Sequence, residues 1–284
     1  MAYKAEISRN NPILIGFLID QSDSMKKNMA DTNTKKSEIC AQYIDSFFSR
    51  LLIRNTSGEE ILNRFNIFAL GYGNLVYPAF DSVNDMTPID LKKLRDISKV
   101  IEKTKTIQKK MPDGAGGWIL ENKDETVKVE KWINPRAENG TPMNEALKEA
   151  FSITSDWIEQ NHKKCYPPII INITDGEFTT EDPEPIAREI RDLETDDGKV
   201  LLFNIHITDD NSSTPVSFPT RNSFIPPNDY ATKLFTMSSN LVDSMVEYGS
   251  KKDKPIMPGA VGFAYNAKFE EFIDFLDIGT RPVG

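Results

Sequence analysis

Residues 13–19 of this 284-residue chain read Ile-Leu-Ile-Gly-Phe-Leu-Ile, seven apolar or small residues without a polar break. A run of that length without alternation suits a strand buried on both faces, as at the centre of a parallel sheet. It ends in Asp20-Gln-Ser22-Asp-Ser24, where oxygen-bearing side chains stand at alternate positions. Alternation in a tight loop points the three oxygens the same way, which suits a hard cation. The chain must build a sheet around this run, and a candidate ligand group lies where the run stops.

The pattern recurs twice. Ile169-Ile-Ile-Asn-Ile173 follows Pro167-Pro168 and ends at Thr174-Asp175-Gly176, and residues 200–207 read as a third buried strand. Helical spacing predicts a helix over about 34–54, with Ile39, Cys40, Tyr43, Ile44, Phe47, Phe48, Leu51 and Leu52 on one face. Further helices are predicted over 185–193, 230–239 and 268–277. Thr141-Pro142 opens another, with threonine as N-cap and proline in the first helical position. Residues 64–72 and 75–80 flank Gly73-Asn74 as a hairpin, and Pro78 confines its second strand to a sheet edge. Residues 260–265 give a last short strand. Buried strands alternating with helices predict an α/β fold with a doubly wound, mostly parallel, Rossmann-like sheet and helices on both faces. Such sheets bind ligands beyond the carboxyl ends of their strands, where the winding reverses, and Ser22 and Asp175 fall there.

One domain is expected over residues 1–284. Residues 85–139 read as an insertion or lid: a helix over about 88–109, a flexible hinge at Gly114 to Gly117, and a β-hairpin over 118–132 with its polar tip at 122–125. Residues 209–228 read as a Pro/Ser/Asn-rich loop.

Composition excludes several function classes. The apolar and charged fractions, 39% and 27%, are those of an ordinary globular protein and argue against disorder. With 34 basic and 43 acidic residues the net charge is −9, which argues against nucleic acid or an anionic membrane as the main partner. The opening Met-Ala-Tyr-Lys-Ala-Glu has no apolar signal-peptide core, and no apolar run approaches the roughly 20 residues of a membrane span. Cys40 and Cys165 are therefore expected as free thiols in a reducing cytoplasm, in preference to a disulfide.

Three segments now form one pattern: Asp20-x-Ser22-x-Ser24 after the first strand, Gly140-Thr141-Pro142 at a helix start, and Thr174-Asp175-Gly176 after the next buried strand. Together they resemble the metal-ion-dependent adhesion site of von Willebrand factor type A domains, shared with integrin inserted domains. The resemblance implies a sheet in order 3-2-1-4-5-6 with one antiparallel edge strand. It implies Mg²⁺, with Mn²⁺ or Ca²⁺ as substitutes, held by the hydroxyls of Ser22 and Ser24 and by Thr141, Asp20 and Asp175 directly or through water. Hard oxygen ligands with few carboxylates suit Mg²⁺ on chemical grounds as well. The open coordination position would take an Asp or Glu carboxylate of a protein partner. Asp23, where the family often has glycine, is a departure. Residues 234–239 and 262–279 look similar to the bacterial intracellular branch associated with tellurite-resistance and stress operons. Members of that branch are often linked to a protein kinase and a metal-dependent phosphatase.

The expected function is thus a non-enzymatic, Mg²⁺-dependent protein-interaction module, a scaffold or adaptor. The alternative is a metal-dependent phosphohydrolase with Asp20 as nucleophile. Such enzymes want a second aspartate two residues on as acid/base, and Ser22 cannot do that work near neutral pH. Hydrolysis at the same ion with Glu177 or Asp23 as base is weaker still, since no substrate pocket is legible. A calcium loop of EF-hand type fails because Met25 stands where the turn glycine belongs. His162 and His206 lack ligand-spaced partners. Trp118, Trp132 and Trp157 read as core or hairpin packing, and the Trp118–Trp132 hairpin as a minor candidate for partner recognition.

Overall fold

A computed structural model describes residues 3–30, 32–112, 118–179, 181–210, 212, 214–223, 225, 228–251 and 256–279. The chain begins with strand β1 (Ile13–Asp20), helix α1 (Lys36–Arg54), strands β2 (Phe65–Tyr72), β3 (Val76–Pro78) and β4 (Ile89–Asp90), and helix α2 (Leu91–Asp96). Next come β5 (Lys99–Pro112), β6 (Trp118–Lys131), α3 (Met143–Trp157), β7 (Ile169–Thr174), α4 (Glu184–Asp192) and β8 (Leu201–His206). Then follow β9 (Val216–Ser217), α5 (Asp229–Met237), α6 (Asp243–Ser250), β10 (Phe263–Tyr265) and α7 (Phe269–Gly279).

Eight strands form the main sheet in the order β9-β10-β8-β7-β1-β2-β3, with β4 also pairing β2. β1, β2, β7, β8 and β10 run parallel to one another. Antiparallel strands stand at both edges, where the sequence predicts one: β3 and β4 beside β2, and β9 beside β10. β9 lies inside the Pro-rich loop, and two residues are too short for a periodic signal. The winding moves outward from β1 to β2 and then returns to β7 on the other side. The carboxyl ends of β1 and β7 therefore flank the reversal.

Every residue of β1, β7 and β8 is buried. Ile13, Ile15, Phe17 and Ile19 face the side covered by α1 and α7, against Phe47, Phe48, Phe272 and Phe275. Leu14 and Leu18 face the other side, against Met143, Leu147, Ala187 and Leu234 from α3, α4 and α5. At Gly16 a Cβ would stand 2.2 Å from Phe68 Cζ, so the glycine makes room for the ring of its register partner on β2. Cys40 and Cys165 are free and buried in the two opposite clusters.

The sheet also buries a polar chain. Tyr72 Oη donates to Asn172 Oδ1 (2.7 Å), Asn172 Nδ2 to Asn204 Oδ1 (3.0 Å), and Asn204 Nδ2 to Ser238 Oγ (2.9 Å). Each amide finds a partner, as burial demands.

The insertion departs most from its prediction. Only Leu91–Asp96 is helical, and residues 99–109 belong to β5, which pairs with β6 along all 14 residues. Ile97, Val100 and Ile101 fit a helical spacing, but Val100, Ile101, Thr104, Thr106 and Ile107 are β-branched. Across the ribbon Ile101 meets Val129 and Thr104 meets Thr126, and cross-strand pairing prevails. Pro112 pairs with Trp118, so residues 122–125 lie within β6 and are not the tip. The hinge expected at Gly114 to Gly117 lies outside the described residues. At the ribbon's base the buried Trp132 and Ile133 donate their amides to Asp45 Oδ1 on α1, at 2.9 and 3.0 Å. Burial pushes the Asp45 carboxyl up to about 6, although both amide bonds oppose the shift. Helix α6 is unpredicted, because its glycine and few apolar residues hide the turn that buries Met245. Helix α3 starts at Met143 with Pro142 at the cap position, so Thr141 is not its N-cap. Among the described residues no helix is long and apolar enough to cross a membrane.

Gly16→Ala is expected to cost about 1–3 kcal/mol in urea melts, as overpacking against Phe68. Asp45 is ionised less readily folded than unfolded, so its contribution to stability falls as pH rises from its ordinary 3.8 to about 6. Asp45→Asn keeps an oxygen for both amides and should remove that loss: relative to wild type its melting temperature rises across this window and then stays level.

Candidate metal centre

Asp20 closes β1 and has no exposure to solvent. Its Oδ1 accepts from the Ser22 amide (2.9 Å), and its Oδ2 accepts from Thr174 Oγ1 (2.6 Å) at the end of β7. The same threonine oxygen accepts from the Gly176 amide at 2.9 Å. The Ser22 and Ser24 hydroxyls lie 2.9 Å apart across a 3₁₀ turn, Asp23–Lys26. Burial pushes the Asp20 carboxyl up to about 7. The nearby charge of Asp175 adds to the shift, and hydrogen bonds from Ser22 and Thr174 oppose it.

Asp175 follows β7 directly. Its Oδ2 accepts from Lys36 Nζ at 2.9 Å, with only 2% of the lysine and 8% of the aspartate side chain exposed. Its Oδ1 is buried with no hydrogen-bond partner. The turn beyond needs glycine: Gly176 has φ +91°, and a Cβ there would stand 2.7 Å from Tyr230 Cβ. His206, at the end of β8, stacks on Tyr265 with ring centroids 4.7 Å apart. Burial pushes its imidazole down to about 4, despite the Asp175 charge and a hydrogen bond to the Asp175 main chain.

Thr141 arrives with the limb that returns from the ribbon. Glu138 N donates to Gln21 O (2.7 Å), and Gln21 Nε2 to Asn134 O (2.7 Å), which fastens this limb to the end of β1. The Thr141 amide then donates to Thr179 Oγ1 (2.9 Å), and the Thr179 amide to Thr141 O (3.3 Å). The loops holding Asp20, Thr141 and Asp175 are thereby tied to one another at the carboxyl end of the sheet. Asp20, Ser22 and Ser24 are linked directly, Asp175 joins through Thr174 and Lys36, and Thr141 joins through the main chain. Asp23 is exposed and paired with Lys26, so its charge is met at the surface.

These residues fit a small hard cation. Among the described residues no three His, Cys, Asp or Glu side chains gather into a metal cluster, so a cation held here would need hydroxyl ligands as well. Ser22, Ser24 and Thr141 would provide them, and Asp175 Oδ1 is a buried carboxylate oxygen with no hydrogen-bond partner, while Lys36 holds its Oδ2. Sequence reasoning passes over two members. Thr174 stands in its motif with no role assigned to it. Lys36 draws no notice, although it stands three and four residues before Ile39 and Cys40 on the apolar stripe of α1.

No family model matches the chain, and no curated protein matches it. Among solved structures it is similar to an aerotolerance-related membrane protein from Bacteroides fragilis NCTC 9343. The TM-score is 0.39 and the identity 11%, over 77% of this chain and 78% of that one. It is also similar to proximal thread matrix protein 1 of the mussel byssus (TM-score 0.43, 11% identity, 82% of this chain and 43% of that one). A third is the vWF domain of the type V pili tip protein Mfa5 from Porphyromonas gingivalis (TM-score 0.34, 16% identity, 60% and 39%). The chain spans less than half the length of the second and third. Likeness at this level assigns neither family nor function, and the functional reading stands on the chain's own residues.

Thr174→Val keeps the β-branched shape but leaves Asp20 Oδ2 and the Gly176 amide without their shared partner. The expected cost is about 1–3 kcal/mol in chemical denaturation.

Proposed function

We propose that the protein is a Mg²⁺-dependent protein-interaction module of the von Willebrand factor A type. In this reading it acts in the bacterial cytoplasm as a scaffold or adaptor in a stress-response or kinase/phosphatase signalling complex. One observation carries it: hydrogen bonds tie the end of β1 to the end of β7 and the Thr141 loop to the segment after β7, where Asp175 keeps a buried Oδ1 without a hydrogen-bond partner. Ser22 and Ser24 would hold the ion through hydroxyls, with Thr141, Asp20 and Asp175 completing the set directly or through water. Mn²⁺ or Ca²⁺ are the expected substitutes. When bound, the ion supplies an open coordination position for a partner's Asp or Glu carboxylate.

The chain's own residues prepare that position. Thr174 and the Ser22 amide occupy both Asp20 oxygens, which orients the carboxylate and spares it an unpaired burial. The Thr141–Thr179 pair fixes the third loop against the second. The ribbon that leads into this loop exposes Trp118 (68%) and Leu120 (61%) and would add apolar contact with the partner.

The test is a pulldown from the native host with and without chelator, comparing wild type with Asp20→Ala and Thr141→Ala. A specific partner should be captured by the Mg²⁺-loaded wild type and lost on chelation and in both variants. Capture indifferent to chelator and to both substitutions overturns the metal bridge. Phosphate release from a generic phosphoester, abolished by Asp20→Ala, would replace it with the hydrolase.

A further inference from the structure

Lys36 is the one member of the site that brings positive charge. It opens α1 on the stripe that faces the sheet, and its side chain is buried with its Nζ on Asp175 Oδ2. An ammonium in such a place is costly unless a carboxylate meets it, so Lys36 and Asp175 form a unit. The second carboxylate of the centre, Asp20, is fastened to the end of β7 by Thr174, the residue before Asp175. We propose that Lys36 is the resident counter-charge of this centre, and that by holding one oxygen of Asp175 it limits how tightly a divalent cation is bound.

The inference rests on the metal reading above and deepens it. With Oδ2 engaged by the ammonium, Asp175 offers the ion a single oxygen, Oδ1. A lysine charge beside a divalent cation repels it, and in a buried setting that repulsion is weakly screened. Two carboxylates and one ammonium leave one net negative charge, so an Mg²⁺-loaded centre ends net positive. That surplus favours an acidic group on the partner over tight retention of the ion by the protein alone. Lys36 thus shifts part of the binding strength from the metal to the partner.

The experiment uses Mn²⁺ as probe on the full chain, with electron paramagnetic resonance titrations and thermal melts of wild type, Lys36→Met and Lys36→Gln. Both substitutions should tighten Mn²⁺ binding by about tenfold or more. Both should lower the melting temperature without metal and recover it with Mn²⁺, because the ion then replaces the lost ammonium. Wild type should gain much less from Mn²⁺. Unchanged or weaker Mn²⁺ affinity in the variants, with wild type binding, overturns the role of Lys36 and leaves the metal reading standing. Variants that stay unfolded at saturating Mn²⁺ also overturn it, since the ion then cannot stand in for the ammonium. If wild type and variants alike bind no Mn²⁺, the metal reading fails and takes this inference with it.

Discussion

A carboxylate cut off from water at the end of a central strand needs a hydrogen bond for each oxygen, and at Asp20 those bonds reach across two loops. One comes from Ser22 in its own turn and the other from Thr174 on the neighbouring strand. The second bond exists only because β1 and β7 run parallel in a register that brings their carboxyl ends level. That register depends in turn on the unbroken burial of both strands and on a glycine at position 16 that lets Phe68 close over the sheet. Core packing and the candidate site are therefore one structure. A slip of register would separate Asp20 from Thr174 as well as misplace the apolar side chains.

Charge organises the remainder. Burial raises the Asp20 pKa, and the charge of the second aspartate, Asp175, adds to the rise. Lys36 pairs with Asp175, and the hydroxyls of Ser22, Ser24 and Thr141 add polarity without further charge. This is the arrangement that the proposed cation, and then a partner's carboxylate, would meet. It supplies no general acid or base in the position a phosphohydrolase would require, because Ser22 stands there.

The parts of the fold legible in the sequence are those written by burial. Three mainly apolar runs became β1, β7 and β8, and the apolar stripes marked α1, α3 and α7 to within a few residues. Short or exposed elements were less legible. β9 spans two residues inside a loop, α6 has little apolar periodicity, and residues 99–109 satisfy a helical and an extended pattern at once. Their β-branched residues pack only when residues 118–131 arrive opposite them, which is long-range information. Asn172 and Asn204 likewise look like polar interruptions in the sequence. In the fold they link two strands to α5.

By itself the sequence determined that a doubly buried strand ends at Asp20 with Ser22 and Ser24 in the turn beyond, that Asp175 follows a second such strand and that Thr141 precedes a helix, because apolar runs and turn residues are local signals. The tertiary structure decided which atoms meet. It turned Asp23 outward to Lys26, brought Thr174 to Asp20, and set Lys36 against Asp175. The physical reason is that a side chain's electrostatic surroundings belong to the strands and helices packed around it, which come from distant parts of the chain. The opening run of oxygens thus becomes a centre with its own internal cation.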